Sequence, residues 1–217
     1  YKNVTSDVKL GKYKAPVHIC KPEELESLLE HGCHHIQAWI MFGAFGGLRS
    51  SEIHRMKWED VRLDENQFFI GGTKNENAER FVELTAPLKA YCKDMLEADK
   101  PAKGLVFGGL SDGQRQKLME LTYEKAGCRI KPNALRHSYG SHHLVGFQNP
   151  EITATEMGHV SPTQTFTAYR KAVLKSQAGE YWAIQAEAKS KPKAKARAKA
   201  KPSVVIETGS KKKLLAA

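Results

Sequence analysis

Residues 34–46 read HHIQAWIMFGAFG, and after the two opening histidines this stretch is almost entirely apolar. Its apolar residues fall on nearly all sides of a helix with 3.6 residues per turn and leave little polar face. The pattern predicts a helix that is buried on most of its sides.

Helical patterns continue on both sides of this segment. Before it, Pro22 at a first helical position, followed by two glutamates and a stripe of leucines, predicts a helix that ends near Gly32. After it, a short helix should follow Leu48. Farther along the chain, Pro or Gly residues punctuate a series of helical stretches, at residues 87–98, 113–126, 132–145, 150–157, 162–169 and 177–187.

The segment between residues 67 and 84 has a different character. Two short β-prone runs, QFFIGG and RFVEL, flank TKNENAE, which is rich in turn-forming and charged residues. That arrangement predicts a β-hairpin. The expected fold class is therefore mainly α with a small antiparallel β-sheet, an α+β domain.

The chain has 217 residues and a formal net charge of +10, which is unevenly distributed. Residues 189–217 contain 10 basic residues and 1 acidic residue, which gives +9 and leaves +1 for residues 1–188. Residues 189–202 alternate Lys or Arg with Ala and Pro and should be disordered when alone. Because the globular part is nearly neutral, the net charge alone does not indicate DNA binding.

Composition also bears on the class of protein. No stretch reaches the ~18 consecutive apolar residues of a membrane helix, and residues 1–10 lack the apolar core of a signal peptide. Cys20, Cys33, Cys92 and Cys128 are far apart and form no CxxC pair, so neither a disulfide framework nor a zinc ribbon is predicted. We expect a soluble cytoplasmic protein with reduced cysteines.

Separate segments of the chain contain the residues that indicate a function: GLRSSEIHRMKWEDV at 47–61, GGTKNENAERFVEL at 71–84, NALRHSYGSHHL at 133–144 and MGHVSPTQTFTAYRK at 157–171. In order, spacing and flanking residues they resemble the tyrosine recombinases of the phage integrase family, with an Arg box, a hairpin Lys, a His-x-x-Arg box, a Gly-His box and a Tyr. The resemblance covers residues 21–187. It implies that family's catalytic-domain fold and site-specific recombination, in which DNA strands are cleaved and rejoined through a 3′-phosphotyrosyl intermediate.

The resemblance assigns Arg49 and Arg136 as clamps on the scissile phosphate. Attack on a phosphodiester builds negative charge on its two non-bridging oxygens, and guanidinium groups match that geometry by bidentate hydrogen bonds. A lone arginine is more often an ordinary salt-bridged residue, and Glu52 follows Arg49 by one turn. The complete set of motifs favours the catalytic interpretation.

The same resemblance assigns Tyr169 as the nucleophile. A phenol with a pKa near ~10 is mostly neutral, so it needs cationic and hydrogen-bonding neighbours before it attacks. His159 is expected to donate a hydrogen bond to the scissile phosphate, and Lys74 in the hairpin turn to protonate the leaving 5′-oxygen. Solvated turns are often rich in lysine, so the Lys74 assignment depends on the other motifs. The phosphotyrosyl link retains the bond energy, so no cofactor and no metal are implied.

Asn133 departs from the family pattern, because most members have His at the position three residues before the arginine. The spacing predicts that Asn133 and Arg136 share one helix face. Asn can donate a hydrogen bond to a phosphate but cannot take up a proton, which puts a general-base role here in doubt. His137 points about 100° away from Arg136 on a helix and does not obviously replace it, nor does the pair His142 and His143. We expect Asn133 to position the phosphate.

The resemblance also implies a domain organisation and partners. Residues 1–20 are expected to be a linker from an absent N-terminal core-binding domain, residues 21–187 the catalytic domain, and residues 188–217 a disordered basic tail. The expected partner is double-stranded DNA, bound by a homotetramer on synapsed sites, with no membrane and no small-molecule substrate. The expected location is the cytoplasm, in association with the nucleoid.

Other interpretations remain open. The chain could be a catalytically degenerate, architectural DNA-binding protein whose basic tail supplies the affinity. A topoisomerase-like relaxation would share the chemistry but normally acts without synapsis. A zinc site at His31, Cys33, His34 and His35 is disfavoured, because no second pair has matching spacing and adjacent histidines on a helix diverge.

Overall fold

Helices predominate in the computed structural model, which describes residues 17–71, 79–98, 102–169 and 173–185. The α-helices within these residues are, in chain order, α1 (Pro22–His31), α2 (His34–Ile40), α3 (Ser50–Arg55), α4 (Ala86–Leu96), α5 (Asp112–Ala126), α6 (Ala134–Phe147), α7 (Pro150–Met157), α8 (Pro162–Tyr169) and α9 (Lys175–Trp182). Strands β1 (Val61–Arg62), β2 (Gln67–Ile70) and β3 (Arg80–Glu83) form an antiparallel sheet in that order. The expected fold class is confirmed.

The apolar segment at residues 34–46 forms helix α2 and continues as a π-helical turn, Met41–Phe45, whose residues are all buried. The buried helix predicted there is confirmed, although the sequence pattern did not indicate the wider turn. The turn leads to Gly47, which has a positive φ of 67°. A Cβ at Gly47 would lie 2.4 Å from the Tyr139 ring, so the chain can pass this close to α6 only as glycine.

The predicted hairpin is confirmed, with β2 and β3 paired from Gln67–Glu83 to Ile70–Arg80. Strand β1 was not predicted, because its two residues are too few to give an alternating pattern. The turn that joins β2 to β3, with Lys74, lies outside the described residues. Arg80 and Val82 are the buried residues of β3, so a charged side chain lies on the face of the strand that meets the core.

Helix α6 begins at Ala134, whereas the predicted shared face of Asn133 and Arg136 requires Asn133 to be on the helix. Asn133 precedes the helix in the left-handed conformation, with a φ of 62°. The prediction that Asn133 and Arg136 share one helix face is therefore wrong, because only Arg136 is on the helix.

Helix α7 has the most complete boundary signals of the C-terminal half. The Asn149 side chain accepts hydrogen bonds from the backbone N–H groups of Glu151 and Ile152, at 2.9 and 3.1 Å, and Pro150 occupies the first turn. The helix ends at Gly158, whose φ of 62° is the left-handed conformation typical of helix ends. Helix α8 follows shortly afterwards and ends at Tyr169.

The core has a large cluster and a smaller one, and the smaller cluster positions Tyr169. It consists of Tyr139, Leu144, Met157 and Tyr169, with Trp182 packed against it. Elements α6, α7, α8 and α9 therefore meet around the nucleophile predicted from the sequence.

The neighbouring histidines of α6 are accounted for by core contacts. His142 stacks on Tyr181 with ring centroids 3.8 Å apart. His143 is 2.8 Å from the Thr153 hydroxyl through Nδ1 and 2.8 Å from a Glu156 carboxylate oxygen through Nε2. The cysteines Cys20, Cys33, Cys92 and Cys128 are all unbridged.

Two further predictions concern the ends of the chain and the membrane. The expected basic tail at residues 188–217, and most of the expected linker at residues 1–20, lie outside the described residues. Within the part that is described, none of the helices is both long enough and apolar enough to cross a membrane.

Candidate active site

A pocket of about 610 Å³ opens where the start of α3, the start of α6, the end of α7 and the end of α8 converge. Its lining residues are Arg49, Ser50, Ser51, Asn133, Arg136, His137, Gly158, His159, Val160 and Tyr169. The pocket thus brings together five of the six side chains that the sequence motifs selected, Arg49, Asn133, Arg136, His159 and Tyr169. The sixth, Lys74, lies outside the described residues.

Arg136 forms the floor of the pocket, where it is buried. Its Nη1 donates to the backbone carbonyl of Gly47 and its Nη2 to that of Met157. Burial, followed by repulsion from Arg49, lowers the Arg136 pKa to about 10. The guanidinium therefore remains cationic at neutral pH and is held from two sides.

Arg49 lies at the N-cap of α3 and keeps its side chain partly accessible, at 39% exposure. Its Nη1 donates to Glu52 Oε1 at 2.8 Å and its Nη2 to the Gly158 carbonyl at 2.7 Å. The salt bridge that the sequence suggested as an alternative to a catalytic role is present. It holds the guanidinium at the pocket wall instead of removing it from the pocket.

Arg80 is a third arginine that does not line the pocket but shares Glu52 with Arg49, and the sequence motifs did not indicate it. Its Nε donates to the Glu156 carbonyl at 2.6 Å, and its Nη1 and Nη2 reach the two Glu52 carboxylate oxygens at 3.1 and 3.3 Å. Burial opposes ionisation of Glu52, but the hydrogen bonds and charges of Arg80 and Arg49 outweigh it and lower the Glu52 pKa. One ionised carboxylate is thus shared between two arginines.

The C-terminal end of α7 supplies one backbone carbonyl partner to each of the three arginines. The carbonyls of Glu156, Met157 and Gly158 accept from Arg80, Arg136 and Arg49 respectively. Cations are favoured at this end because the helix dipole is negative there. A Cβ at Gly158 would lie 2.7 Å from Arg80 Nη1 and 3.3 Å from Arg49 Nη1, so this close approach also requires glycine.

Tyr169 also lines the pocket, and the residue is only 3% exposed. A Cβ at Gly140 would lie 2.7 Å from Tyr169 Cε2, so the ring packs directly on the α6 backbone. Burial raises the Tyr169 pKa, and the charges of Arg136 and Arg49 only partly oppose this effect. The phenol is therefore protonated at neutral pH and needs a proton acceptor in order to attack.

His137 lies next to the Tyr169 hydroxyl, with His137 Nδ1 and Tyr169 Oη 3.1 Å apart. His137 was set aside from the sequence because it points about 100° from Arg136 around the helix, but it lines the pocket. The 100° step along α6 does separate its direction from that of Arg136, but α8 approaches α6 on the His137 side. Burial and the adjacent Arg136 charge lower the His137 pKa, so the ring is neutral at pH 7.

His159 stands behind the end of α7, with Nδ1 2.6 Å from the hydroxyl of the buried Thr165. Burial, followed by the charges of Arg136, Arg49 and Arg80, lowers the His159 pKa to about 4. The ring is neutral at pH 7. If the Thr165 hydroxyl donates to Nδ1, the ring proton is on Nε2, where it can serve as a donor.

No metal centre is built from the residues that the structure describes, where no three His, Cys, Asp or Glu side chains group as ligands would. Of the cluster considered in the sequence, His31 Nδ1 is 2.9 Å from the Ser27 carbonyl oxygen, and His34 packs against His35 with ring centroids 3.8 Å apart. The described polar side chains that line the pocket supply guanidinium, imidazole, phenol, hydroxyl and amide groups.

Comparison with known proteins identifies relatives of this arrangement. Tyrosine recombinase XerA of Pyrococcus furiosus is 27% identical over 146 residues, which are 63% of this chain and 50% of that protein. Tyrosine recombinase XerC of Neisseria gonorrhoeae is 32% identical over 139 residues, which are 59% of this chain and 44% of that protein. The chain thus spans about half the length of the curated relatives it matches.

A solved structure shares the fold. The integrase of transposon Tn1549, in complex with transposon right end DNA, superposes with a TM-score of 0.56 at 18% identity, over 80% of this chain and 68% of that one. The sequence model of the family described as Phage integrase family matches residues 19–175. That match covers most of the chain and confirms the resemblance carried by the motifs: the chain belongs to the phage integrase family.

Proposed function

We propose that this chain is the catalytic domain of a site-specific DNA recombinase, an integrase, that cleaves and rejoins strands through a 3′-phosphotyrosyl intermediate on Tyr169. The observation that carries the proposal is the pocket itself, in which the phenol of Tyr169 and the guanidinium groups of Arg49 and Arg136 line one cavity. The names of the curated relatives, tyrosine recombinases XerA and XerC, support the same activity.

Each pocket group has a role in this reaction. Arg49 and Arg136 bind the non-bridging oxygens of the scissile phosphate and stabilise the charge that develops during attack. Tyr169 forms the bond to phosphorus as the bond to the 5′-oxygen breaks. His159 donates to the phosphate, Asn133 positions it, and Lys74, assigned from the sequence alone, protonates the leaving oxygen.

The proposed partner is double-stranded DNA, with a homotetramer on two synapsed sites. Exchange between two duplexes requires four strands to be cut, and each chain carries one Tyr169, so four copies supply one nucleophile per strand. The Tn1549 integrase was solved with transposon DNA, which supports the choice of partner. Such a protein would be associated with the nucleoid, and the basic residues of 189–217 would bind phosphates without reading sequence.

Covalent trapping tests the proposal. The substrate is a pool of duplexes of randomised sequence with a nick near each candidate cleavage position, so that a short 5′-hydroxyl fragment diffuses away and the enzyme remains attached. Wild type should give an SDS-resistant adduct, and Tyr169→Phe should give none while binding DNA within a few-fold of wild type. Tyr123→Phe is the matched control, because Tyr123 is half-buried on α5 and does not line this pocket.

The outcomes separate the candidate functions. An adduct in Tyr169→Phe would remove Tyr169 as the nucleophile. Tight DNA binding by wild type with no adduct on any duplex of the pool would favour the degenerate, architectural alternative.

A further inference from the structure

The hydroxyl of Tyr169 has one hydrogen-bond partner within residues 17–71, 79–98, 102–169 and 173–185, the Nδ1 atom of His137 at 3.1 Å. We propose that His137 is a catalytic residue, the general base that takes the phenolic proton of Tyr169 during strand cleavage. The inference rests on the proposed function, because it assigns the proton acceptor for that same reaction.

The geometry suits direct proton transfer. A general base must lie within about 2.6–3.2 Å of the atom whose proton it takes, and the Nδ1–Oη distance meets this requirement. In the neutral ring one nitrogen carries a proton and the other is an acceptor. With the ring proton on Nε2, Nδ1 accepts the hydrogen bond from Tyr169 and is the atom that receives the proton.

The other polar groups around the pocket are engaged elsewhere or lack the chemistry. His159 Nδ1 pairs with Thr165, and its ring centroid is 6.3 Å from that of Tyr169. Glu52 is paired with both Arg49 and Arg80. Asn133 has a side-chain amide, which does not take up a proton at neutral pH. Among the described residues, His137 is therefore the base that reaches the nucleophile.

The titratable and charged groups that line the pocket with His137 are Arg136 on its own helix, Tyr169 on α8, Arg49 at the start of α3 and His159 after α7. Tyr169 and His159 are uncharged at pH 7, so the charges among these groups are those of the two arginines. Burial and Arg136 lower the His137 pKa, so the ring is neutral and able to accept. A phosphate bound by Arg136 and Arg49 would offset their positive charge and thereby raise the affinity of His137 for a proton.

The proposed step balances as follows. The Tyr169 Oη–P bond forms as the P–O5′ bond breaks, and the phenolic proton moves to His137 Nδ1. The 5′-oxygen takes a proton from a general acid, Lys74 by sequence or a water molecule, and leaves as the hydroxyl. In rejoining, a 5′-hydroxyl attacks phosphorus and gives its proton to the conjugate base of that general acid. The bond between phosphorus and Tyr169 Oη breaks, and His137 returns its proton to the departing phenolate.

Single-turnover cleavage of the nicked duplexes tests the assignment. His137→Ala removes the imidazole, and His137→Asn retains a hydrogen-bonding group near the Nδ1 position that cannot take up a proton. Both variants should form adduct about 100-fold more slowly or worse, with noncovalent DNA binding within a few-fold. His31→Asn is the matched control, because His31 is exposed on α1 and bonded to the Ser27 backbone, and it should cleave as wild type does.

Two readouts distinguish a base from a merely positioning residue. The wild-type rate should fall with decreasing pH as His137 becomes protonated, because only the neutral ring can accept the phenolic proton. His137→Ala and His137→Asn should not show this fall in rate at lower pH. Added imidazole should restore cleavage to His137→Ala, with the rescue following the unprotonated fraction of the buffer.

Specific results would overturn the assignment. Cleavage at the wild-type rate in either variant would show that His137 is dispensable. Faster cleavage by His137→Asn than by His137→Ala, with no rescue by added imidazole, would show that His137 only positions Tyr169. A slow variant whose rate depends on pH as the wild-type rate does would also overturn the assignment. Absence of adduct with wild type on every duplex would instead overturn the proposed function, so the two failures are distinguishable.

Discussion

The two walls of the pocket are held in different ways. The arginine wall consists of Arg49 and Arg136, which line the pocket, together with Arg80, which does not line it. Each guanidinium makes at least two hydrogen bonds, to backbone carbonyls or to the buried Glu52. The nucleophile wall, His137, His159 and Tyr169, has one hydrogen bond between His137 and Tyr169 and one between His159 and Thr165. The arginines are thus held mainly by hydrogen bonds, whereas Tyr169 is held mainly by the packing of its ring in the smaller core cluster.

The largest expected effect comes from removing an arginine side chain, either Arg136 at the floor of the pocket or the partly exposed Arg49 at its rim. Arg136→Ala and Arg49→Ala should each slow single-turnover cleavage by about 10²-fold to 10³-fold or more, because each removes a charged donor to the transition state. Their stabilities should differ. Arg136→Ala leaves the buried carbonyls of Gly47 and Met157 without their partner, at about 1–3 kcal/mol per group, whereas the partly exposed Arg49 should lose less.

Urea unfolding monitored by tryptophan fluorescence measures this second difference. Equal losses of unfolding free energy in Arg49→Ala and Arg136→Ala would contradict the distinction between floor and rim. Cleavage near the wild-type rate in either variant would remove that arginine from the site.

The next effect concerns the carboxylate that ties two of these arginines together. Glu52→Gln should lower the free energy of unfolding at pH 7 by about 3 kcal/mol, because it leaves the buried Arg80 without its counter-charge. The Glu52 pKa is lowered in the folded state, so its contribution is present above its ordinary value and is lost as pH falls through the folded-state pKa. The gap between wild type and Glu52→Gln should therefore close in acid.

Urea titrations at a series of pH values from 7 downwards measure this gap. Glu65→Gln is the matched control, because it removes a carboxylate from an exposed pair with Arg62 and should change stability by less than about 1 kcal/mol. A gap between wild type and Glu52→Gln that stays constant with pH would mean that the charge of Glu52 is not what stabilises the wall.

The smallest effect is expected at Asn133, on the rim of the pocket. Asn133→Ala should reduce cleavage moderately, by about tenfold or less. It should also be strained by about 1 kcal/mol, because the φ of 62° suits Asn better than Ala. Asn133→Gly relieves that strain while also removing the amide, so comparison of the two variants separates the contributions. Asn133→His should retain or raise cleavage and add a pH dependence between ~5 and 8.

Cleavage rates and urea midpoints for the three variants check this prediction. Loss of activity in Asn133→His with folding intact would indicate that the pocket is built around the amide. Equal rates for wild type, Ala and Gly would mean that Asn133 does not contact the phosphate.

The local part of the fold could be predicted because the responsible signals are close together in the sequence. Proline at the first turn of α1 and the apolar run at residues 34–46 placed helices correctly, and the β-prone runs on either side of a polar turn placed the hairpin. Two elements could not be predicted in this way. Strand β1 has too few residues to show an alternating pattern, and the residues of the π-helical turn after α2 are as apolar as those of the helix before it.

The candidate site could be predicted only for residues whose type and spacing match a sequence motif. Arg49, Arg136, His159 and Tyr169 carry motif spacings, and the fold brings them to one pocket. His137 was set aside because its direction on α6 was compared with Arg136 alone, whereas its partner arrives from α8, 32 residues later in the chain. Arg80 had a weak signal, a charged residue on the buried face of a strand, but its role depends on tertiary contacts with α3 and α7.

The last turn of α7 determines how the pocket meets its substrate. Three consecutive carbonyls there already orient three guanidinium groups, and Gly158 leaves room for them. The cations are preorganised, so little reorganisation energy remains to be supplied when a phosphate arrives, because folding has already aligned them. Because all three arginines depend on this one turn, a substitution that shifts it should misalign all three together. Its effect on cleavage should resemble the combined loss of the three arginines, not the loss of one.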